Sequence, residues 1–393
     1  MARGLAGATR YRSSLARQLK QNLSKMRYKK LLNGRSVGLV LAGLGLAGGA
    51  SIAEEEESQR ASSEEPLFRF GVIADVQYAD IDNATSFGGG EYRFYRGTLD
   101  SLAKSIDWWN LHYPDIQFIA NLGDLIDGQN AGGYGAGLNF SEPQSAVALE
   151  RVVSQFRRSL CPTVHHAIGN HELYNFDREQ LHSHLFKDKT PPLSEAPGAT
   201  PSQLYYSFRP HPQWRFLLID CYDIAVQGRE EGSEQMAKAR QLIAENNPNV
   251  FAGKNWFEGV HPSKHRFVPY NGAVGSSQLE WLRAQLSEAK KGGERCVVMT
   301  HVPLDPRASS PKTVVWNYPD VMSVIRESEC VALVLAGHHH PGGYVQDEGG
   351  CHHLTIEGSL THENGAFGVF EVHEDHLKLV GKGDLPSRKL ELR

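Results

Sequence analysis

Apolar positions along this chain follow two registers: short apolar runs of strand length, and longer stretches in which apolar residues recur every three or four positions. The short runs predict strands over 68–74, 116–121, 163–168, 214–220, 295–300 and 331–336. The longer stretches predict helices over 92–112, 142–160, 233–246, 277–289 and 319–328. Towards the C-terminus the pattern changes, and 352–357, 366–372 and 377–380 read as three closely spaced strands with no helix between them. Alternating strands and helices imply an α/β fold, a layered sandwich that binds ligands where its parallel strands end. No internal repeat is apparent. Glycine patches at 88–90 and 128–137 read as loops of a site, because candidate ligands flank them.

The first 66 residues stand apart from this pattern. Residues 1–53 hold ten Lys and Arg and no acid. Residues 1–35 have the make-up of an organelle address, mitochondrial or plastid, with a cytosolic protein as the alternative. Segment 37–53 is seventeen uncharged residues, six of them Gly or Ser. That is the lower edge of what spans a bilayer, so membrane contact there is marginal. An acidic, Ser-rich linker over 54–66 leads into a folded domain over 67–393.

Charge narrows the partners. Beyond residue 53 there remain 31 basic residues against 45 acidic ones, a net charge of −14. So acidic a body does not suit nucleic acid, which needs a basic face. A small phosphate substrate is still accommodated if metal ions supply local positive charge. The five cysteines are scattered with no CxxC pair, which fits reduced core thiols and removes a cysteine zinc site.

Five blocks carry the candidate chemistry, each at the end of an apolar run. GVIADVQYAD holds Asp75 and Gln77; FIANLGDLIDG holds Asp124 and Asp127; HAIGNHELYN holds Asn170, His171 and Glu172. VVMTHVPL holds His301, and LVLAGHHHPGGY holds His338, His339 and His340. Each block alone reads equally well as a turn or a loop. Together they offer carboxylate, amide and imidazole donors, the set that borderline-hard divalent ions such as manganese, iron or zinc prefer.

This order, Asp-x-Gln, Gly-Asp-x-x-Asp, Gly-Asn-His-Glu, His, Gly-His-x-His, resembles that of the calcineurin-like metallophosphoesterases. Within that superfamily the chain is most similar to the manganese-dependent ADP-ribose/CDP-alcohol diphosphatases, over roughly residues 67–385. FGVIADVQYAD, EYRFYR at 91–96, GNHELYN, RFVPYNGAVGSSQLEWL and WNYPDVMSVI carry the closer match. The superfamily's first motif usually has His where this chain has Gln77, and the Gln form is that of the narrower group.

The resemblance implies an α/β/β/α sandwich with two divalent metal ions, manganese preferred. Asp75, Gln77, Asp124 and His340 would hold the first ion. Asp124, bridging, would hold the second with Asn170, His301 and His338. A water activated between the ions would attack phosphorus, with His171 as general acid or charge stabiliser. Asp127 and Glu172 would orient imidazoles, and His339 stays out of the site. The implied reaction splits ADP-ribose, CDP-choline or CDP-glycerol into a nucleoside monophosphate and a phosphorylated alcohol or sugar, with no obligatory protein partner. A phosphodiesterase or phosphoprotein phosphatase of the same superfamily, and an inactive scaffold, are the alternatives. Arg93 and Arg96, three apart on a predicted helix start, form either a pyrophosphate grip or a solvated helix face. Phe87, Trp316, Asn317 and Tyr344 are candidates for nucleobase contact or for core.

Overall fold

The computed structural model describes residues 65–86, 90–132, 143–161, 163–186 and 203–393. The readings of the basic extension, the apolar segment 37–53, nearly all of the acidic linker and Phe87 lie outside the described residues. Strands are numbered in chain order. One six-stranded sheet has the order β14-β13-β12-β1-β4-β5. Its members are β1 (Phe68–Ile73), β4 (Phe118–Asn121), β5 (Val164–His166), β12 (Ala366–Val372), β13 (His376–Gly383) and β14 (Arg388–Glu391). The other has the order β10-β11-β9-β8-β7-β6. It comprises β6 (Tyr206–His211), β7 (Trp214–Leu218), β8 (Arg295–Met299), β9 (Val331–Ala336), β10 (Gly343–Gln346) and β11 (His352–Thr355). A small ribbon pairs β2 (Ala84–Thr85) with β3 (Tyr92–Arg93).

The sheets pack face to face through aromatic side chains at alternate strand positions. Phe70 stacks on Phe118 and on Phe370 with ring centroids 4.9 Å apart in each pair, and meets Phe216 of the other sheet edge-on at 5.3 Å. On the opposite side of β1, Gly71 leaves room for Trp109, whose ring lies 3.2 Å from where a Cβ would stand. The Trp109 indole N–H donates to the Gly368 carbonyl at 3.0 Å, seating helix α1 (Gly97–His112) on the outer face of this sheet. Helix α2 (Ser145–Phe156) packs beside it. Two short helices, α3 (Asn170–Asn175) and α4 (Arg178–Leu181), follow β5, and α5 (Glu234–Asn246) follows β7. Helices α6 (Ser276–Lys291) and α7 (Tyr318–Ser328) cover the outer face of the second sheet. The layers are therefore the expected helix, sheet, sheet, helix.

Strands β1, β4 and β5 run parallel, as do β8 and β9. Their C-terminal ends carry the five sequence blocks. Among the described residues no helix is long and apolar enough to cross a membrane.

One buried imidazole makes stability depend on pH. His165 in β5 stacks on Phe208 at 3.6 Å, and its Nδ1 meets the Tyr206 hydroxyl at 2.9 Å. Burial, with nearby His166 adding to it, pushes its pKa down to about 3. An unfolded chain takes up this proton as pH falls through the ordinary histidine value, whereas the fold refuses it until about 3. Stability is thus full above the ordinary value and is lost between the two. At about pH 4.5 the loss amounts to about 3 kcal/mol. Urea unfolding of wild type and His165→Phe at neutral and at acid pH should show the variant losing less by about that amount.

Candidate metal centre

The ligand-bearing residues leave their strands in a conformation that L-residues avoid. Asp75, Gln77, Asp124 and His338 have φ of 52°, 42°, 56° and 65°. They are four of the five non-glycine residues with positive φ among those described, and each such residue costs on the order of 1 kcal/mol or more. Backbone bonds hold them there: Asp75 N–H donates to Gly123 O at 3.1 Å and Gln77 N–H to Asp124 O at 2.8 Å. Glu172 completes the scaffold, its carboxylate accepting Asp124 N–H and Gly169 N–H at 2.8 Å each, and also Leu125 N–H. This differs from the sequence expectation, since Glu172 orients backbone and touches no imidazole. Gly169 has to be glycine, because a Cβ there would lie 2.0 Å from Asp124 Oδ1.

Two donor groups meet at one atom. Asp124 Oδ2 lies 3.0 Å from Gln77 Nε2 and 3.3 Å from His301 Nε2. On one side Gln77 Nε2 is 3.0 Å from His340 Nε2, and His340 Nε2 is 3.5 Å from Asp75 Oδ1. On the other, His301 Nε2 is 3.2 Å from His338 Nδ1. Asn170, buried nearby, offers Oδ1 to the Tyr222 hydroxyl at 3.2 Å.

The outward nitrogens of the three imidazoles decide what the inward ones can do. His301 Nδ1 donates to Leu122 O at 2.7 Å, His338 Nε2 to Asn271 Oδ1 at 2.9 Å, and His340 Nδ1 to Glu91 Oε2 at 2.8 Å. Asn271 has its orientation fixed, since its Nδ2 donates to Arg266 O at 2.9 Å and Lys312 O at 2.8 Å. The outer bonds leave Nε2 of His301 and of His340 and Nδ1 of His338 facing inward, the nitrogens that would serve as metal ligands. Gln77 adds a buried Oε1 with no hydrogen-bond partner among the described residues.

Electrostatics tell the same story. Burial alone would lower the His301 imidazole, but Asp124, Asp75 and the Leu122 carbonyl raise it to about 9. Burial is likewise overcome at His340, which Asp75 and Glu91 raise to about 9. Burial would raise the Asp124 carboxyl, yet His301 and His171 hold it well below the usual carboxylate range. Burial, with His301 next to it, lowers His338 far enough to stay neutral. Carboxylate, imidazole and amide donors with no thiolate suit manganese, iron or zinc, and the residues fit two such ions.

His171 stands beside this cluster. Its backbone N–H donates to Asp124 Oδ1 at 2.8 Å, and its Nδ1 accepts Gly128 N–H at 2.8 Å. Asp127 Oδ2 lies 3.4 Å from that Nδ1, which already accepts Gly128 N–H, so no hydrogen bond from the ring to this carboxylate oxygen forms, against the sequence expectation. His339 turns away and meets the Thr313 hydroxyl at 3.2 Å.

The expected substrate contacts fare differently. The helix predicted from residue 92 starts only at Gly97, and Arg93 belongs to the β3 ribbon, so Arg93 and Arg96 share no helix face. Ser86 and Glu91 tie the ribbon off, Ser86 N–H donating to Glu91 O at 2.6 Å. Arg96 is an exposed partner of Asp80 and Asp82 at 2.8 Å each. Arg93 sits between Glu91 at 3.8 Å and Asp127 at 3.6 Å, the carboxylates behind His340 and His171. Trp316 is no stacking platform: it is buried against Phe267 in a small satellite core, where apolar surface is best hidden. Asn317 is used up on backbone, exchanging hydrogen bonds with Val274 at 3.0 and 2.9 Å. Tyr344 bonds His352 Nδ1 at 2.9 Å beneath the Arg388 guanidinium.

The sequence reading passed over Glu91 and Asn271, the outer partners of His340 and His338. Removing such a partner typically costs 10–100-fold in metal affinity or activity. Glu91→Gln and Asn271→Leu should each raise the Mn²⁺ concentration for half-maximal activity by about that factor.

The calcineurin-like phosphoesterase family model matches residues 68–342, from the first strand to just past the histidine triplet. The chain belongs to the calcineurin-like phosphoesterase family. Family relatives named manganese-dependent ADP-ribose/CDP-alcohol diphosphatase include a Bos taurus protein, 37% identical over 86% of this chain and 98% of its own. The Homo sapiens protein of that name is 39% identical over 83% of this chain and 93% of its own. A crystal structure of a dimetal phosphatase from Danio rerio superposes with a TM-score of 0.73 at 33% identity, covering 84% of this chain and 100% of that one. The chain is thus a metal-dependent hydrolase of this family.

Proposed function

We propose that this phosphoesterase splits the pyrophosphate of nucleoside diphosphates that carry a small second group. ADP-ribose would yield AMP and ribose 5-phosphate, and CDP-choline or CDP-glycerol would yield CMP and the phosphoalcohol. The observation that carries the reading is Asp124 Oδ2 shared by two donor groups, Gln77 with His340 on one side and His301 with His338 on the other. Asp75, Gln77, Asp124 and His340 would hold one ion, and Asp124, Asn170, His301 and His338 the other. Bound there, two divalent cations supply Lewis acidity and a nucleophilic water near neutral pH.

The protein's own groups do the rest. The three outer partners hold each imidazole with its second nitrogen facing inward, so binding needs no ring rotation. Because His171 Nδ1 accepts from Gly128, the proton of the neutral ring rests on Nε2. That N–H is the donor for a phosphate oxygen, either the leaving one or one gathering charge.

Purified protein given ADP-ribose, CDP-choline or cyclic AMP, each with Mn²⁺, Mg²⁺ or EDTA, tests this directly. AMP or CMP released in Mn²⁺ and not in EDTA is the expected result. Turnover in EDTA, or of cyclic AMP alone, overturns it. On this reading the partners are small nucleotides, with no nucleic acid and no obligatory protein. Residues 67–393 then work without the first 66. The basic stretch 1–35 acts as an organelle address, and a fluorescent protein fused behind it should enter mitochondria or plastids. A diffuse signal would refute the address.

A further inference from the structure

We infer that Cys330 and Cys296 form an oxidative modification site that takes hydrogen peroxide and closes into a reversible disulfide. Cys296 is the second residue of β8, and Cys330 is the residue that leads from α7 into β9. Their sulfurs lie 3.8 Å apart in an S–H···S contact. The backbones are already joined, Cys296 N–H donating to Cys330 O at 2.8 Å. Side-chain rotation and a small strand adjustment bring the sulfurs to the bonding distance of about 2.05 Å.

Two local features set the pair up. Glu329, just before Cys330, has φ of 59° and ends α7 abruptly, which points the next residue back along β8. The β8–β9 register then shifts between Cys296 and Val297, so the ladder is irregular where the sulfurs meet. An irregular ladder yields more readily than a regular one.

The two thiols divide the work. Cys330 is partly exposed, whereas Cys161, Cys221, Cys296 and Cys351 are all buried. The contact with Cys296 lowers the Cys330 pKa, and Ser328 and Lys290 add to this against partial burial. Cys330 is therefore the thiol that meets the oxidant, and Cys296 the one that resolves it. The Cys330 thiolate attacks one peroxide oxygen, the O–O bond breaks, and the departing hydroxide leaves as water, giving a sulfenic acid. The Cys296 sulfur then attacks the Cys330 sulfur, the S–O bond breaks, and a second water carries off the Cys296 proton. Two thiols and one peroxide become one disulfide and two waters. Exposed disulfides are the more readily reduced ones, and Cys330 is partly exposed.

Peptide mapping after mild peroxide treatment and alkylation of the full chain tests the assignment. The expected product is a Cys296–Cys330 cross-linked peptide, with an intact mass lower by about 2 Da, both reversed by dithiothreitol. In Cys296→Ser the resolving sulfur is gone, and Cys330 should advance to sulfinic acid, heavier by about 32 Da. In Cys330→Ser, Cys296 should stay reduced at the same dose. In untreated protein an alkylating agent should label Cys330 before any other cysteine. Wild-type Cys330 found as sulfinic acid without cross-link, a disulfide between other cysteines, or first labelling elsewhere would each overturn the proposal.

Discussion

Asp124→Asn lowers kcat/KM by about three to four powers of ten and reduces the bound Mn²⁺ below two ions per chain. The size follows from the shared position of Asp124 Oδ2, because several kcal/mol of charge stabilisation pass through metal contacts and each 1.36 kcal/mol is tenfold in rate. Asparagine is a clean probe here. It tolerates the left-handed φ of 56°, and its amide oxygen can still accept the His171 N–H. What disappears is the charge. The check is metal analysis after gel filtration, alongside steady-state kinetics at saturating Mn²⁺. A variant that keeps two ions and wild-type turnover would show that the chemistry does not run through this carboxylate.

His171→Ala should behave oppositely in metal content and similarly in rate. Its side chain is not among the donors that converge on Asp124, so both ions stay. Its loss removes the Nε2–H donor, and positioned proton donors contribute about 10²–10⁴-fold. The backbone N–H bond to Asp124 survives the substitution, and Gly128 N–H at the partly open edge can turn to water. The fall should therefore appear in kcat, with KM nearly unchanged and metal content intact. Loss of metal in this variant would make His171 a scaffold residue for Asp124, not a participant in the reaction.

The two substitutions probe parts of the molecule that were unequally visible in the sequence. The central strands β1, β4, β8 and β9 are apolar nearly throughout because both of their faces are covered, and such runs stand out. Strands β6, β10 and β14 escaped because they lie at sheet edges. YSFRPH contains a proline, GYVQ is half-exposed throughout, and RKLE buries only Leu390. The ligands were legible because a strand end and its turn lie within a few residues of each other. Their supporting partners were not, since Glu91 is 249 positions from His340 and Asn271 is 67 from His338. Helical periodicity misled at Tyr92 and Arg93, where pairing with Ala84 and Thr85 overrides it and delays α1 to Gly97.

The left-handed conformations of Asp75, Gln77, Asp124 and His338 bear on how such a protein drifts once selection on its chemistry lapses. Glycine at any of the four would relieve roughly 1 kcal/mol of backbone strain. At Asp124 the relief is offset, because the His171 N–H and the His301 imidazole would lose their carboxylate partner. A duplicated copy freed from catalysis therefore meets little backbone resistance to glycine at Gln77 and His338, so the candidate ligands can drift while the core stays as it is.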